Sequence, residues 1–293
     1  MITKHAIDIL EKSLTYDVGF GDLTVETLIP KDLNCKAFVV AKENTKICGM
    51  DFVVEFLEKN GISCKKLYDE GDYIDFKDVK YSENSKKRIK ILEISGNAQK
   101  IITYERTILN FMMHLSAIAT KTYEIVSMVE KVNPNVRIAC TRKTLPLLSM
   151  VEKYAVKVGG GDTHRYRLDD MIMIKDNHIE ALGIAECMKR VKKVSFSKKI
   201  EVEVDNNTQL REVINHNPDI IMLDNYNDSA IEEALDIINN YHLNGFKPII
   251  ELSGGITEKN VLNYAKHPID VISMGCLIHS AKAVDLGLDL EKI

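Results

Sequence analysis

The sequence lacks closely spaced cysteines. It has no C-x-x-C pair and no grouping of cysteine with histidine at zinc-ligand spacing, both of which a zinc site would leave as a signature. The six cysteines are spread along the chain as Cys35, Cys48, Cys64, Cys140, Cys187 and Cys276. We therefore expect reduced, mostly buried thiols in a cytoplasmic protein.

Long apolar runs and an excess of basic residues are also missing. No apolar run approaches the roughly 20 residues that span a bilayer, and the opening stretch MITKHAIDILEKSL has the pattern of an amphipathic helix, not of a signal peptide. The net charge is -4, so there is no basic face to displace counterions from nucleic acid. We expect neither a membrane nor a nucleic acid as a partner, and any anion binding should be local.

What the sequence does contain is enough apolar material for one large α/β barrel, alone or with a smaller companion: 293 residues that are 45% hydrophobic. Up to about residue 100, the short strand patterns CKAFVVA and RIKILEIS flank a helix pattern, MDFVVEFLEKNG, with Gly61 as its C-cap. This predicts an α+β unit. From Ala98 onward, a stretch free of glycine and proline predicts long helical segments.

The rest of the chain repeats a strand-then-helix pattern. Its apolar runs are VRIACT, MIMIKD, KIEVEVDN, DIIMLDN, PIIELSGG and DVISMGC. Continuous Val, Ile and Met runs suit parallel strands that are covered on both faces, so six such units predict a parallel α/β barrel. In such barrels the ligand site lies at the carboxyl ends of the strands.

That rule places one set of polar residues and glycines in a single ring. Its members are Arg142, Lys143, Lys175, Glu203, Asp205, Asp224, Ser253, Gly254, Gly255 and Gly275. Glycines after two adjacent strands let backbone N–H groups approach a phosphate, although each could simply turn the chain. Asp205 is better explained as the N-cap of the helix that begins near NTQLREV.

Charged residues of both signs meet in this ring. Glu203 and Asp224 end neighbouring strands, and two close carboxylates are costly unless they share a cation, which Mg²⁺ with a polyphosphate would supply. The alternative is a structural ion-pair network.

A separate cationic group is held by the loops at the first and second strand patterns. Arg142, Lys143, His164 and Arg165 favour a small substrate with more than one carboxylate, because arginine binds carboxylates bidentately. His178 is explained by a local hydrogen bond or a helix cap. Pattern alone does not distinguish Arg106 from any other solvated arginine.

With these motifs in view, the chain resembles the quinolinate phosphoribosyltransferase family, the decarboxylating nicotinate-nucleotide pyrophosphorylases of NAD biosynthesis. The resemblance rests on many motifs in one order: GFGDLT, YERTILNF, CTRKTLP, EKYAV, GGGDTHR, IKDNHI, EVEVDN, IMLDN, LSGGI and MGCLIHSAKAVDLGLD. It implies an N-terminal α/β sandwich over residues 1–112, an incomplete parallel α/β barrel over 113–280, and a C-terminal segment, 281–293, that packs back on the first domain. It also implies a homodimer with a shared active site, possibly assembled into a hexamer.

The resemblance further implies the reaction and its residues. The phosphoribosyl group of phosphoribosyl pyrophosphate passes to quinolinate, with release of CO₂ and pyrophosphate and with Mg²⁺ as the cofactor. Lys143 and Lys175 face the pyrophosphate, and Glu203 and Asp224 meet the ribose and the metal. The quinolinate carboxylates would be held by Arg106 from the neighbouring subunit together with Arg142, His164, Arg165 and Lys175. The 5'-phosphate would be held by Ser253, Gly254, Gly255, Gly275 and His279.

Three departures from the family pattern accompany these matches. Leu147 and Ser149 stand where members usually have a glycine and, nearby, an arginine, so we expect the loop after the first barrel strand to differ in shape. Thr163 replaces a common asparagine, and Arg167 replaces a common glycine.

Three alternative functions are open to the sequence. One is the related protein found with molybdate transport genes, which shares GDLT and TRK but lacks the ERT arginine and the KDNH stretch. The second is a silent homologue, which should have lost some of the charged positions that are filled here. The third is a nicotinate-using relative, which would not need so many cations.

Overall fold

The structure is a computed structural model that describes residues 2–77, 88–242, 245 and 247–291. The chain divides into two compact units. The first comprises Met1–Tyr123, Pro146–Gly160 and Ala281–Ile293, and the second comprises Glu124–Leu145 and Gly161–Ser280. In the described part of the chain, every helix is too short or too polar to span a membrane.

The first unit combines helices with a mainly antiparallel sheet, with elements numbered along the whole chain. Its helices are α1 (Ile2–Val18), α2 (Leu23–Leu28), α3 (Met50–Lys59), most of α4 (Ala98–Glu130) and α5 (Ser149–Val158). Its strands are β1 (Asn34–Ala41), β2 (Thr45–Lys46), β3 (Ser63–Lys66), β4 (Tyr73–Ile74), β5 (Ile89–Asn97) and β12 (Leu286–Leu290). Four strands form a sheet in the order β12-β1-β5-β3, and β2 pairs with β4.

The strand and helix predictions for this unit are confirmed. CKAFVVA lies in β1, RIKILEIS begins β5, and MDFVVEFLEK is α3. The C-cap of α3 is Asn60 and not Gly61, which follows it with a φ of +78° and completes a Schellman turn. The segments expected after Ala98 are one helix of 33 residues, α4.

The predicted domain boundary at residue 112 falls inside α4, and the boundaries 1–112, 113–280 and 281–293 stay a prediction. The C-terminal strand β12 pairs antiparallel with β1, from Ala37 opposite Leu290 to Ala41 opposite Leu286. The last five residues of β1 are all buried. This strand is therefore covered on both faces and lies at the centre of the first unit's core.

The second unit contains the predicted barrel strands. They are β6 (Arg137–Ala139), β7 (Ile172–Ile174), β8 (Ile200–Val204), β9 (Ile220–Asp224), β10 (Ile249–Ser253) and β11 (Val271–Ser273). The helices between and after them are α6 (Asp176–Leu182), α7 (Ile184–Val191), α8 (Asn207–Val213) with a 3-10 turn (Ile214–His216), α9 (Asp228–His242), α10 (Val261–Tyr264) and α11 (Cys276–His279).

All six strands form one parallel sheet in the order β6-β11-β10-β9-β8-β7. In this order β6 and β7 are the edge strands, so the barrel is incomplete and the predicted fold class is confirmed. The sheet places β8 beside β9 and β10 beside β11, as the sequence predicted. The register also sets Asp224 directly beside Ser253.

The N-cap of α8 also differs from its prediction. The N-cap of α8 is Asn206, whose side-chain oxygen accepts hydrogen bonds from the backbone N–H groups of Thr208 and Gln209. Asp205 is one residue too early to reach those groups and instead donates its backbone N–H to the side chain of Gln209.

Candidate active site

A cavity of about 740 Å³ opens at the carboxyl ends of the second unit's strands. Twelve of the thirteen predicted site residues line it. They are Arg142, Lys143, His164, Arg165, Lys175, Glu203, Asp224, Ser253, Gly254, Gly255, Gly275 and His279. The structure thus brings together residues at or after the ends of all six strands with His164 and Arg165, which lie between α5 and β7, while the role of each residue stays a prediction.

Lys175 and Glu203 form an ion pair in this cavity through Nζ and Oε2. Lys175 ends β7 and begins α6, where its backbone N–H donates to Nδ1 of His178 at 2.9 Å. This is the local hydrogen bond expected for His178. Only 10% of the Glu203 side chain is exposed, so the lysine neutralises a carboxylate that would otherwise be poorly hydrated.

Asp224 ends the neighbouring strand and is held by the residue that follows it. The side-chain amide of Asn225 donates to Asp224 Oδ2 at 2.6 Å. The backbone N–H of Asn225 donates to the carbonyl of Ser253, at 2.9 Å. Asn225 therefore hydrogen-bonds both to the Asp224 carboxylate at the end of β9 and to Ser253 at the end of β10.

The glycine loop after β10 has a conformation that needs glycine. Gly254 has a φ of +91° and Gly255 a φ of +61°. A Cβ on Gly254 would lie 2.4 Å from Oδ1 and 2.5 Å from the backbone nitrogen of Asn225, closer than atoms can approach. At this position the glycine is required both by its backbone conformation and by space.

Two arginines, Arg142 and Arg165, line the same cavity. Burial and, second, the positive charge of Arg142 lower the pKa of Arg165. Arg165 also donates to the carbonyl of Met171, at 3.4 Å. Two guanidinium groups in one cavity are suited to binding carboxylates, because an anion between them offsets their repulsion.

Lys143, Gly275 and His279 converge at the edge formed by β6 and β11. A Cβ on Gly275 would lie 3.1 Å from His279 Nε2 and 3.2 Å from Lys143 Cδ. A lysine and a histidine therefore lie against a glycine at the start of α11, which is a polar environment suited to a phosphate.

Three ionisable residues, two buried and one half-buried, form a cluster at the cavity, and two of them, His164 and Glu251, line it. His164 Nε2 is 3.2 Å from Glu201 Oε2 and 3.3 Å from Glu251 Oε2, although neither contact meets hydrogen-bond geometry. Burial lowers the pKa of His164, but the two carboxylates outweigh it and raise that pKa to about 10. Burial also raises the pKa of Glu201. The cluster as a whole therefore retains a proton that isolated groups would lose near neutral pH.

The other ring nitrogen of His164 makes its own hydrogen bond. Nδ1 of His164 accepts the backbone N–H of Arg165 at 2.8 Å, so the ring proton lies on Nε2, next to the two carboxylates. The three groups are close enough to hold a metal ion, with their ligand atoms within 4.8 Å of one another. A metal on Nε2, however, would leave the ring proton on Nδ1, where ligating histidines donate it. The geometry favours a proton over a metal.

The thirteenth predicted residue, Arg106, does not line this cavity. It lies on α4 in the first unit, and its side chain is 69% exposed. There it lines a separate cleft of that unit together with Lys12, Tyr16 and His114. Its predicted contribution to a neighbouring subunit's site stays a prediction.

Leu147, which departs from the family pattern, has a backbone conformation that is rare for leucine. Its φ is +67°, a left-handed conformation that glycine adopts freely and that leucine rarely adopts. Its side chain is 84% exposed, and its carbonyl lies 3.0 Å from Nε2 of His5. The position thus has a conformation that suits the glycine of the family pattern, at a strain cost of roughly 1 kcal/mol for leucine.

Sequence reasoning missed three residues of this region: Glu201, Glu251 and Asn225. A signal existed for the first two. Side chains alternate along a strand, so Glu201 shares a face with Glu203, and Glu251 is a charge inside an apolar run. The sequence carries no comparable signal for Asn225, since its contacts come from the neighbouring strand.

Comparison with known proteins agrees with this geometry. Residues 22–116 match the family model of the quinolinate phosphoribosyl transferase N-terminal domain, and residues 118–289 match that of the C-terminal domain. The chain is 53% identical to a probable nicotinate-nucleotide pyrophosphorylase (carboxylating) of Methanocaldococcus jannaschii, over 100% of this chain and 99% of that protein.

Two further proteins extend the likeness. A nicotinate-nucleotide pyrophosphorylase (carboxylating) of Mycobacterium leprae is 32% identical, over 97% of each chain. The solved structure of the nicotinate-nucleotide pyrophosphorylase from Francisella tularensis superposes with a TM-score of 0.86 at 34% identity, covering 99% of this chain and 97% of that one. The two family models, the relatives and the fold all agree: the chain belongs to the quinolinate phosphoribosyltransferase family.

Proposed function

We propose that the protein transfers the phosphoribosyl group of phosphoribosyl pyrophosphate to quinolinate and decarboxylates the product to nicotinate mononucleotide. The observation that carries this proposal is the division of charge within one cavity. Arg142 and Arg165 line the cavity together with Glu203 and Asp224, which lie at the ends of two adjacent strands. The two arginines match a substrate with two carboxylates, and the two carboxylates match the hydroxyl groups of a ribose.

Transfer of the phosphoribosyl group needs charge stabilisation of both signs. As the bond from the ribose carbon to pyrophosphate breaks, positive charge develops on that carbon, and the carboxylates of Glu203 and Asp224 stabilise it. Lys143 and Lys175 offset the negative charge that grows on the pyrophosphate. The pyridine nitrogen of quinolinate, held through its carboxylates by the two arginines, then bonds to the ribose carbon.

The second step needs no further group from the protein. Once its nitrogen is bonded to ribose, the pyridine ring is a cation beside the 2-carboxylate. When the bond to that carboxylate breaks, the electron pair stays on the ring carbon next to the cationic nitrogen, and CO₂ leaves. A proton then replaces it on carbon.

Mg²⁺ is the proposed cofactor, and the carboxylates of Glu203 and Asp224 fit it. Both supply the hard oxygen ligands that Mg²⁺ prefers. Each has one oxygen engaged, Glu203 Oε2 by Lys175 and Asp224 Oδ2 by Asn225, and each has a second oxygen on the same side chain. When bound there, Mg²⁺ would neutralise charge on the pyrophosphate.

The assembly we propose is a homodimer, possibly within a hexamer, in which Arg106 of each subunit serves the other subunit's cavity. The exposure of Arg106 and its position outside the cavity of the second unit support this. We also propose a cytoplasmic location. This agrees with the six cysteines, all of which are free thiols.

The test of the acceptor is to incubate the purified protein with phosphoribosyl pyrophosphate, Mg²⁺ and either quinolinate or nicotinate. We expect nicotinate mononucleotide from quinolinate alone, because nicotinate lacks the second carboxylate that the two arginines bind. The measurement is chromatography of the nucleotide. Product from nicotinate would favour the non-decarboxylating relative. No product from either, with phosphoribosyl pyrophosphate still bound, would favour the molybdate-associated relative and a different acceptor.

A further inference from the structure

Asn225 has an uncommon backbone conformation at the edge of the cavity. It follows β9 directly, is exposed, and has a φ of +56°. Asparagine tolerates this left-handed conformation better than most residues do. The conformation turns the chain sharply at the end of β9, so that both the backbone and the side chain of Asn225 face the loop after β10.

Three contacts connect Asn225 to two parts of the site. Its side-chain amide donates to Asp224 Oδ2 at 2.6 Å, and its backbone N–H donates to the carbonyl of Ser253 at 2.9 Å. Its Oδ1 would lie 2.4 Å from a Cβ on Gly254, so the side chain packs closely over that glycine. One residue therefore contacts both the β9 carboxylate and the β10 glycine loop.

A purely structural turn would not need all of these contacts. The backbone hydrogen bond to Ser253 is enough to join the ends of β9 and β10. The hydrogen bond from the Asn225 side-chain amide to Asp224 adds nothing to that junction, but it fixes a carboxylate that faces the cavity. A carboxylate without such a partner rotates freely, and a shift of about 1 Å at a site group can cost about 100-fold in rate.

We propose that Asn225 is a positioning residue that fixes the Asp224 carboxylate and the Ser253–Gly255 loop relative to one another. Under the proposed function, on which this inference rests, Asp224 meets the ribose and the loop meets the 5'-phosphate of the same substrate. Asn225 thus sets the distance between the carboxylate that meets the ribose and the loop that meets the 5'-phosphate, and it has no contact with Arg142 or Arg165 among its described interactions.

The variants Asn225→Gly and Asn225→Asp test this role. Glycine keeps the backbone conformation and removes the amide. Aspartate keeps the shape, tolerates the left-handed backbone, and replaces the donor with a charge that repels Asp224. Because each loses one hydrogen bond to a charged group, we expect the KM and Kd for phosphoribosyl pyrophosphate to rise by about 10- to 100-fold. The KM for quinolinate should change less than about twofold, since Arg142 and Arg165 are untouched.

Asn217 provides a matched control. It also has a left-handed backbone, with a φ of +51°, is exposed, and precedes β9 at the opposite end of the same strand. Asn217→Gly should therefore leave both KM values at the wild-type level. Calorimetric binding of phosphoribosyl pyrophosphate with Mg²⁺ is measured beside the kinetics, so that the inference is tested even if quinolinate proves to be the wrong acceptor.

The inference would be overturned if variants at Asn225 and at the control position Asn217 gave the same affinity for phosphoribosyl pyrophosphate. If Asn225→Gly and Asn225→Asp bind phosphoribosyl pyrophosphate as tightly as Asn217→Gly does, the amide positions nothing. A lower unfolding midpoint with both KM values unchanged, or an equal rise in both, would likewise reduce Asn225 to a structural turn. Failure of the wild-type protein to act on quinolinate is a separate outcome, and it contradicts the proposed function alone.

Discussion

Gly254→Ala is expected to lower kcat/KM for phosphoribosyl pyrophosphate by at least about 100-fold, because the added methyl group displaces the loop that we assign to its phosphate. The Cβ would meet both Oδ1 and the backbone nitrogen of Asn225, at 2.4 and 2.5 Å. A side-chain oxygen can rotate away, but a backbone nitrogen that donates to Ser253 cannot move without breaking the junction of β9 and β10. Steady-state kinetics and the unfolding midpoint measure the effect.

The neighbouring glycine provides the control. Gly255 has a similar left-handed φ, but a Cβ there would find its nearest atom, Asn225 Oδ1, 4.0 Å away. Gly255→Ala therefore carries backbone strain, of roughly 1 kcal/mol, without a clash. We expect it to be much more active than Gly254→Ala. Equal loss in the two variants would show that strain alone, and not the contact with Asn225, makes Gly254 necessary.

The second large effect is expected from mixing two inactive variants, Arg106→Ala and Lys175→Ala. Lys175 belongs to the cavity of the second unit, and Arg106 lies in a cleft of the first unit. If each site takes Arg106 from the partner, a mixed dimer has one site that carries both defects and one that is intact. In an equal, randomly reassorted mixture, half of the dimers are mixed, so activity should return to about a quarter of the wild-type value.

Activity is measured before and after the two variants are co-refolded, with each variant alone treated identically. Lys189→Ala is a control for the loss of a lysine, because Lys189 is an exposed residue of α7 whose ion pair is with Glu186. No recovery, with mixed dimers demonstrated by distinct tags, would mean that each subunit supplies its own Arg106. That result would contradict the shared site and leave the proposed reaction intact.

The strands of the barrel and the shared edge at which they end follow from local sequence patterns. Continuous apolar runs specify strands that are covered on both faces, and each of the six predicted runs is a strand of one parallel sheet. Because parallel strands end at a common edge, the sequence alone is enough to place the polar residue after each run in one cavity. Glu203 and Lys175 are an example, since the structure joins them in an ion pair.

What local pattern does not encode is contact between distant segments. Asp205 and Asn206 are both good N-cap residues, and only the backbone angle at the end of β8 decides for Asn206. His164, Glu201 and Glu251 come from three separate segments, so their contact depends on how the sheet brings these segments together. Arg106 is the clearest example of this limit. The helical pattern around it indicates only a solvated arginine, and its proposed role comes from the family resemblance alone.

The cluster of His164, Glu201 and Glu251 also bears on the arginines of the cavity. Nδ1 of His164 accepts the backbone N–H of Arg165 and so helps to fix the backbone of a residue that carries one of the guanidinium groups. Glu201 and Glu251, both almost fully buried, lie next to Nε2 of the same ring. His164 and Glu251 line the cavity, whereas Glu201 lies outside its lining.

Under the proposed function, quinolinate is decarboxylated as part of phosphoribosyl transfer. The decisive measurement uses quinolinate labelled with ¹³C in its 2-carboxylate, incubated with phosphoribosyl pyrophosphate, Mg²⁺ and the purified protein. We expect labelled CO₂ and pyrophosphate in equal amounts, and nicotinate mononucleotide that contains no label. Pyrophosphate released without labelled CO₂, or a nucleotide that retains the label, would contradict the proposed reaction.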